Sequence, residues 1–316
     1  MSAKTKDSGP AIRALAPWYG AKRILAPRIV EALGPHTAYW EPFCGSMAVL
    51  LAKPRATMET VNDLHGDLVN LARVVADDRL GPKLYRRLRR TLMDEVLFAE
   101  ALRWIKAEPD FASAVPDLDR AYWFFVQSWM GRNGLCGTKG YNRSTPCVRY
   151  SQSGGHSSTR WAAAVRSIPQ WRERLRGVAI LRRDGLEILA RIEDTPGTAI
   201  YVDPPYLAKS CLYQHDFDAT QHALLAVRLE RFRRARVVVS YYDDRRLTDL
   251  YPPGHWHYER IEMRKNLSSS GGKVGGQPGP AKASNVVEVL LCNQPPLAAL
   301  AARARVAATL FDRGGT

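Results

Sequence analysis

Apolar and β-branched residues come in short runs along most of the chain, each closed by a polar or glycine-marked turn and followed by a stretch with helical spacing. The runs "TAYWEPF" (37–43), "TMETVND" (57–63), "VAILRRD" (178–184), "TAIYVDP" (198–204), "RVVVSYY" (236–242), "HYERIEM" (257–263) and "NVVEVLLCN" (285–293) predict strands. Helices are expected over 46–53, 64–76, 185–193 and 218–235. In the last of these, Asp218 and Gln221 have the spacing of a capping box, and Leu225, Leu229 and Phe232 share one face. Such alternation predicts an α/β fold with a largely parallel sheet covered on both sides. The final two strands have no helix between them, so an antiparallel hairpin is expected at one edge.

Two stretches break the alternation. Residues 80 to about 130 read as helices ending in the aromatic "RAYWFFVQSWM", and 131–160 read as a loop-like region rich in Gly, Ser, Asn and Arg. The expected organisation is a sheet-bearing unit over 13–78 and 161–295, interrupted by a mainly helical insertion over 79–160. A disordered arm (1–12) and a tail (296–316) flank it, and "SSSGGKVGGQPGPAKAS" (268–284) has almost nothing to bury, so a mobile loop is expected there.

Charge changes this picture by adding a partner. The formal net charge is +15, from 46 Lys+Arg against 31 Asp+Glu, and the cations cluster at 79–90, 171–183 and 228–236. Basic runs interleaved with Trp and Tyr suit a polyanion, nucleic acid first, against the plain alternative of solvated helix faces. The N-terminus has no continuous apolar segment, and no apolar run of about 18 residues occurs, so neither a leader nor a membrane span is expected and the protein is placed in the cytoplasm. The five cysteines form no CxxC pair and read as free thiols, while His255 and His257 have no cysteine pair beside them, so no metal is expected.

Three places carry chemistry. In "YWEPFCGSMAVL" (39–50) a strand runs into a turn at Gly45 and then an apolar helix, the form of a nucleotide-cofactor loop, although it is not GxGxxG and lacks the Lys-Ser/Thr of a P-loop. In "VNDLHGDLVNL" (61–71) Asp63 ends the second strand where an open α/β sheet places an acid for ribose hydroxyls; the alternative is that Asn62 or Asp63 caps the next helix. In "YVDPPYL" (201–207) two prolines stiffen the turn, Asp203 and the Pro204 carbonyl offer two acceptors, and Tyr206 offers a flat face. An acid, a carbonyl and a ring suit a planar molecule bearing an amino group.

"DPPY" after a strand, with "EPFCGS" upstream, resembles the signature of the Dam-type (D12 class) DNA adenine-N6 methyltransferases. The likeness extends to "PWYGAKRILAPRI" (17–29), "VNDLHGDLVNLARVV", "RNGLCG", "RLRGVAILRRDGLEIL", "VVVSYYD" and "VVEVLLCN", in the order of the α group of amino-methyltransferases. It implies a Rossmann-like methyltransferase sheet, S-adenosylmethionine as cofactor, double-stranded DNA as substrate, base flipping and direct methyl transfer. By this resemblance Asp203, Pro204, Pro205 and Tyr206 are the catalytic residues, with Tyr206 stacking on the flipped base. Trp18, Gly20, Lys22, Glu41, Phe43, Gly45, Asp63, Asp184 and Asp203 line the cofactor site. Arg132, Asn133, Lys139 and Arg143 in the insertion are candidates for DNA contact. A cognate restriction enzyme is a possible partner, and a monomer or weak dimer is expected. Two departures stand out: "SMAV" follows Gly45 where many relatives carry a further glycine or alanine, and "YNRSTPCVRYSQSGG" keeps only the "YN" of the family's recognition stretch, so the target sequence GATC is not carried over. The rival readings are methylation of RNA or of another amine or amide, a catalytically inactive DNA-binding relative, and a nicotinamide oxidoreductase, which the missing GxGxxG disfavours.

Overall fold

Each of the predicted runs forms a strand, and together they make one seven-stranded sheet in the computed structural model, which describes residues 12–109, 111–131, 136–140, 144–147, 156–207, 214–266, 273–274, 277–278 and 283–296. Strands β1 (Ala38–Glu41), β2 (Met58–Asn62), β3 (Val178–Leu181), β4 (Thr198–Val202) and β5 (Arg236–Tyr242) are parallel. Strand β6 (His257–Asn266) forms the edge, and β9 (Ala283–Cys292) lies between β5 and β6, antiparallel to both. The order is β3-β2-β1-β4-β5-β9-β6. Within the expected loop over 268–284, β7 (Lys273–Val274) and β8 (Gln277–Pro278) pair as a short ladder, and β9 starts inside it at Ala283; the other residues of that loop lie outside the described ones.

Both faces of the sheet are covered, which is why β4 is buried at every position and does not alternate polar with apolar. The period of two still sorts its side chains. Tyr39, Tyr201, Val238 and Leu290 face one core, and Ile200, Val202, Val237, Val239 and Leu291 face the other. The first core receives α1 (Ala26–Leu33), α3 (Gly66–Ala76), α4 (Leu80–Arg89), α5 (Glu95–Ala107), α6 (Leu118–Met130) and α7 (Ser157–Leu175); the second receives α8 (Gly185–Arg191) and α9 (Ala219–Glu230). The helices of the insertion therefore share their core with α3 and with the sheet's tyrosines.

The aromatic run becomes α6, capped by Asp117 through the Arg120 N–H at 2.9 Å and buried at every residue from Arg120 to Met130. A helix apolar on all sides belongs at a centre, and α3, α4, α5 and α7 surround it. Its one cation, Arg120, is buried against Asp67 and donates to the Trp104 and Glu108 carbonyls at the end of α5 at 2.9 and 2.7 Å, satisfying groups that the helix leaves open.

Three of the described helices went unpredicted: α1, α7 and the four-residue α10 (Leu247–Leu250). Helix α7 carries Trp161, Ala164, Val165, Ile168, Trp171 and Leu175 on its buried side, a helical spacing obscured by Pro169 and by its arginines; α1 buries Ala26, Ile29 and Leu33. Helix α9 has the expected capping box but stops at Glu230, short of 235. Asp194 explains the stop, because its carboxylate accepts the backbone N–H groups of Arg233, Arg234 and Ala235 at 2.7–2.9 Å and pulls the chain out of the helix. Ile12, the last residue of the expected free arm, is held by Ser167 and Trp171 at 3.2 and 2.6 Å; residues before it lie outside the described ones, as do those after 296. Among the described residues no helix is long and apolar enough to cross a membrane.

From β1 the chain passes through α2 (Ala48–Ala52) to β2 on one side, and from β4 through α9 to β5 on the other. The strand order reverses between β1 and β4, and an open α/β sheet has its crevice at that point, beyond the carboxyl ends.

Candidate active site

The crevice opens where β1 ends in Glu41 and β4 in the turn that holds Asp203. Counted out to open solvent, it extends over about 960 Å³. Every residue assigned to the cofactor by resemblance lines it: Trp18, Gly20, Lys22, Glu41, Phe43, Gly45, Asp63, Asp184 and Asp203. Of the remaining motif residues, Pro205 lines it, and Pro204 and Tyr206 are buried.

The loop after β1 is fixed by its neighbours. Gly45 takes φ +44° and donates its N–H to Asp63 Oδ2 at 2.8 Å; a Cβ here would stand 2.9 Å from the Trp18 indole nitrogen, so only glycine suits both the turn and the close approach. Met47 also takes a left-handed φ, +60°, a strain of about 1–2 kcal/mol that a glycine would not carry. The departure seen in "SMAV" thus falls at a backbone position where glycine is favoured.

Asp63 is not a helix cap. Its second oxygen accepts the His65 N–H at 2.9 Å, and it is His65 that caps α3, its ring Nδ1 accepting from Leu68. Asn62 ties together the ends of β1 and β3 through the Pro42 carbonyl and the Arg183 backbone, all at 2.9 Å. Each Asp63 oxygen carries one local N–H, and a carboxylate has about four lone-pair directions, so acceptor capacity remains beside the crevice. Asp184 has two roles in place: it lines the crevice, and its Oδ1 caps α8 through the Leu186 and Glu187 N–H groups.

Trp18 sits between two glycines. Its ring lies against Gly45 on one side and Gly137 on the other, where φ is +82° and a Cβ would come within 2.5 Å of the indole. The Tyr19 N–H donates to the Cys136 carbonyl at 3.0 Å, so the segment from the insertion is strapped to the N-terminal motif and forms a wall of the crevice. On the far side Phe43 packs against Gly185 and edge-on to Phe217, with ring centroids 5.7 Å apart.

Behind this surface lies a buried group of charges. Lys22 Nζ is 2.8 Å from Asp203 Oδ2, 2.9 Å from the Gly20 carbonyl and 3.4 Å from Glu288 Oε1. Asp203 Oδ1 accepts from Ser240 at 2.9 Å, and the Tyr201 hydroxyl meets Ser240 at 2.8 Å. Burial alone would lower the Lys22 pKa, but Asp203 and Glu288 outweigh it and hold the ammonium above its ordinary value. Burial raises the Asp203 carboxyl, with Lys22 opposing and Glu288 adding to the rise. Glu41, bound by the Tyr39 hydroxyl at 2.9 Å, is pushed up by burial to about 8, so near neutral pH it is largely protonated.

One expectation is corrected. Tyr206 does not present an open face for stacking: it is 3% exposed, its ring lies against Tyr241 and Tyr242, and its hydroxyl donates to Glu288. The Lys22 ammonium lies 4.8 Å over the ring centroid. A phenol with an apolar body finds packing and an acceptor inward, and nothing in the local sequence reveals those partners.

A second correction concerns the basic clusters. Of the run at 171–183, Arg172, Arg174 and Arg176 precede β3, whereas Arg182 and Arg183 follow it and Arg183 lines the crevice; 228–236 leads into β5, so that run and the first part of the other lie at the amino ends of the strands. There Arg174 clamps Glu59 at 2.6 and 2.8 Å, Arg172 and Arg176 meet Asp78, Arg231 bonds the Leu189 and Ile192 carbonyls, and Arg236 those of Ala32 and Pro295. These arginines tie elements together. Lys83, Arg86, Arg89 and Arg90 of α4 are exposed. Among the DNA-contact candidates, Lys139 is exposed and reaches Asp216 at 3.1 Å, whereas Arg132, Asn133 and Arg143 lie outside the described residues.

The sequence reading missed Ser240, Glu288, His65 and Gly137. Glu288 left a signal, an acid inside the otherwise apolar "VVEVLL". Among the described residues no group of His, Cys, Asp and Glu is arranged to hold a metal ion.

A model of the D12 class N6 adenine-specific DNA methyltransferase family matches residues 18–266. The retron Ec67 DNA adenine methylase of Escherichia coli is 24% identical over 265 residues, covering 81% of this chain and 86% of that protein.

Proposed function

The chain belongs to the D12 class of N6 adenine-specific DNA methyltransferases, and from that premise we propose that it uses S-adenosylmethionine to methylate adenine N6 in duplex DNA, taking the base out of the stack and transferring the methyl group directly. The observation that carries this reading is the position of Asp203: at the strand-order reversal, on the crevice wall, with one oxygen on Lys22 and the other on Ser240.

The donor set suits the cofactor. A ligand with a positive sulfur and an ammonium group matches a crevice edged by Asp63, Asp184 and Asp203, and its flat base matches the faces of Trp18 and Phe43. Asp63, with acceptor capacity left, would take ribose hydroxyls. Bound there, S-adenosylmethionine would supply a methyl group on a positively charged sulfur that departs as a neutral thioether.

The chain's own residues do the rest. Adenine N6 is a poor nucleophile because its lone pair is delocalised into the ring. Asp203 and the Pro204 carbonyl accept its two hydrogens, which turns the lone pair outward. As the carbon–nitrogen bond forms, N6 becomes positive and sheds one proton, which Asp203 takes. Lys22 and Ser240 hold the Asp203 carboxylate in one orientation throughout, so positioning and fixed charge supply most of the acceleration. Extruding the base costs a few kcal/mol, least where the duplex is already weak.

Incubating purified protein with methyl-labelled cofactor tests this. Label is expected in N6-methyladenine of unmethylated duplex DNA. Transfer to RNA or peptide with none to DNA would overturn the reading, and DNA binding without transfer to any acceptor would favour an inactive relative.

A further inference from the structure

Glu288 occupies a place where an acid needs a reason. It is 3% exposed in the middle of β9, in register between Tyr242 of β5 and Ile261 of β6, with valine on either side in sequence. Burying a carboxylate costs several kcal/mol unless charge and hydrogen bonds compensate it. Its two polar contacts both belong to the catalytic wall: Tyr206 donates to its Oε1, and Lys22 Nζ stands 3.4 Å from the same oxygen.

Among the described residues, Lys22 is the one cation in contact with Asp203 and Glu288; Glu41 nearby is largely protonated, and Tyr39, Tyr201 and Tyr206 are neutral phenols with pKa values raised by burial. One ammonium therefore stands between two acidic side chains, 2.8 Å from Asp203 and 3.4 Å from Glu288. A carboxylate that owned the ammonium outright would be a weaker acceptor and a weaker base.

We propose that Glu288 is a positioning residue that sets the strength of Asp203, by sharing Lys22 so that the ammonium is not held by Asp203 alone where N6 turns positive, and by fixing Tyr206 through its hydroxyl. This rests on the methyltransferase reading of the same site. Electrostatic stabilisation of this kind acts only as the new bond forms, so its loss falls on kcat and leaves KM for DNA and for cofactor alone.

The full-length Glu288→Gln variant tests this, because the amide still accepts from Tyr206 while its charge is gone. The expected result is a fall in kcat of about 10- to 100-fold, with both KM values within about threefold of the wild type. The acid limb of the kcat–pH profile is expected to move down by about one pH unit, because removing a neighbouring anion lowers the Asp203 pKa. Glu288→Asp, which keeps the charge, is expected to recover most of kcat and the wild-type acid limb, and it decides the matter if Glu288→Gln folds poorly. Wild-type kcat and an unmoved acid limb in Glu288→Gln, or an aspartate variant as slow as the glutamine one, would overturn the inference while wild-type methylation stands. An inactive wild type would instead remove the functional reading.

Discussion

At the carboxyl ends of the strands, charged residues reach the crevice from separate elements: Lys22 from the N-terminal motif, Glu41 from β1, Asp63 after β2, Arg183 and Asp184 after β3, Asp203 after β4. At the amino ends they arrive in dense runs, and most are tied to carboxylates or to helix and loop carbonyls. The arginines at 172–176 and 231–236 brace the fold, whereas the charges at the carboxyl ends of the strands surround the crevice. Position at a strand end is the better guide here, because a strand end leaves a side chain beside a cavity and a turn can aim it. A run on a helix spreads its charges around the axis, and each finds whatever carbonyl or acid lies nearest.

Substitutions at the two ends should therefore fail in different ways. Asp203→Asn keeps shape and removes the charge; kcat is expected to fall about 10³-fold or more, with DNA retention at fixed salt and melting temperature nearly unchanged. At the other end, Arg174→Ala leaves the buried Glu59 with Lys53 and the Ala56 N–H. It is expected to cost about 2–4 kcal/mol in chemical denaturation while kcat at a permissive temperature stays near the wild type. If the arginine variant lost activity but not stability, the division between the two ends would be wrong.

Glu41 sharpens the comparison through pH. Its carboxyl ionises near 4.5 in the unfolded chain and near 8 in the folded one. The fold favours the protonated form, so the stability this group contributes is whole below about pH 4.5 and is lost as pH rises through about 8. Between those values wild-type stability should fall relative to Glu41→Gln, which does not titrate, by a few kcal/mol at most. Denaturation midpoints of the two proteins measured across that window check it; a constant gap would mean that Glu41 is not held protonated. The smallest effect is expected at Lys139, exposed beside the crevice: Lys139→Ala should lower the slope of log DNA affinity against log salt by about 1 and leave kcat unchanged.

Much of the fold was legible because the strands are short apolar runs ended by turn residues, and the cofactor-side residues because they sit at those ends. What was not legible depends on distant partners. Tyr206 reads as a free face until Tyr241, Tyr242 and Glu288 come up from β5 and β9 to enclose it. The end of α9 is set by Asp194, which precedes β4. Helix α7 had the right spacing, but its proline and arginines suggested a basic surface segment. Gly137 has no mark in the sequence that ties it to Trp18, since only the folded chain brings the two together.

The central claim is that Asp203, at the reversal between β1 and β4, drives methyl transfer to adenine N6 in DNA. Sequencing DNA by modification-sensitive reads, from cells expressing either the wild type or Asp203→Asn at equal protein levels, tests it most directly. The expected result is N6-methyladenine at one recurring sequence with the wild type and none with the variant. Unmodified adenine in both, or equal modification in both, would contradict it.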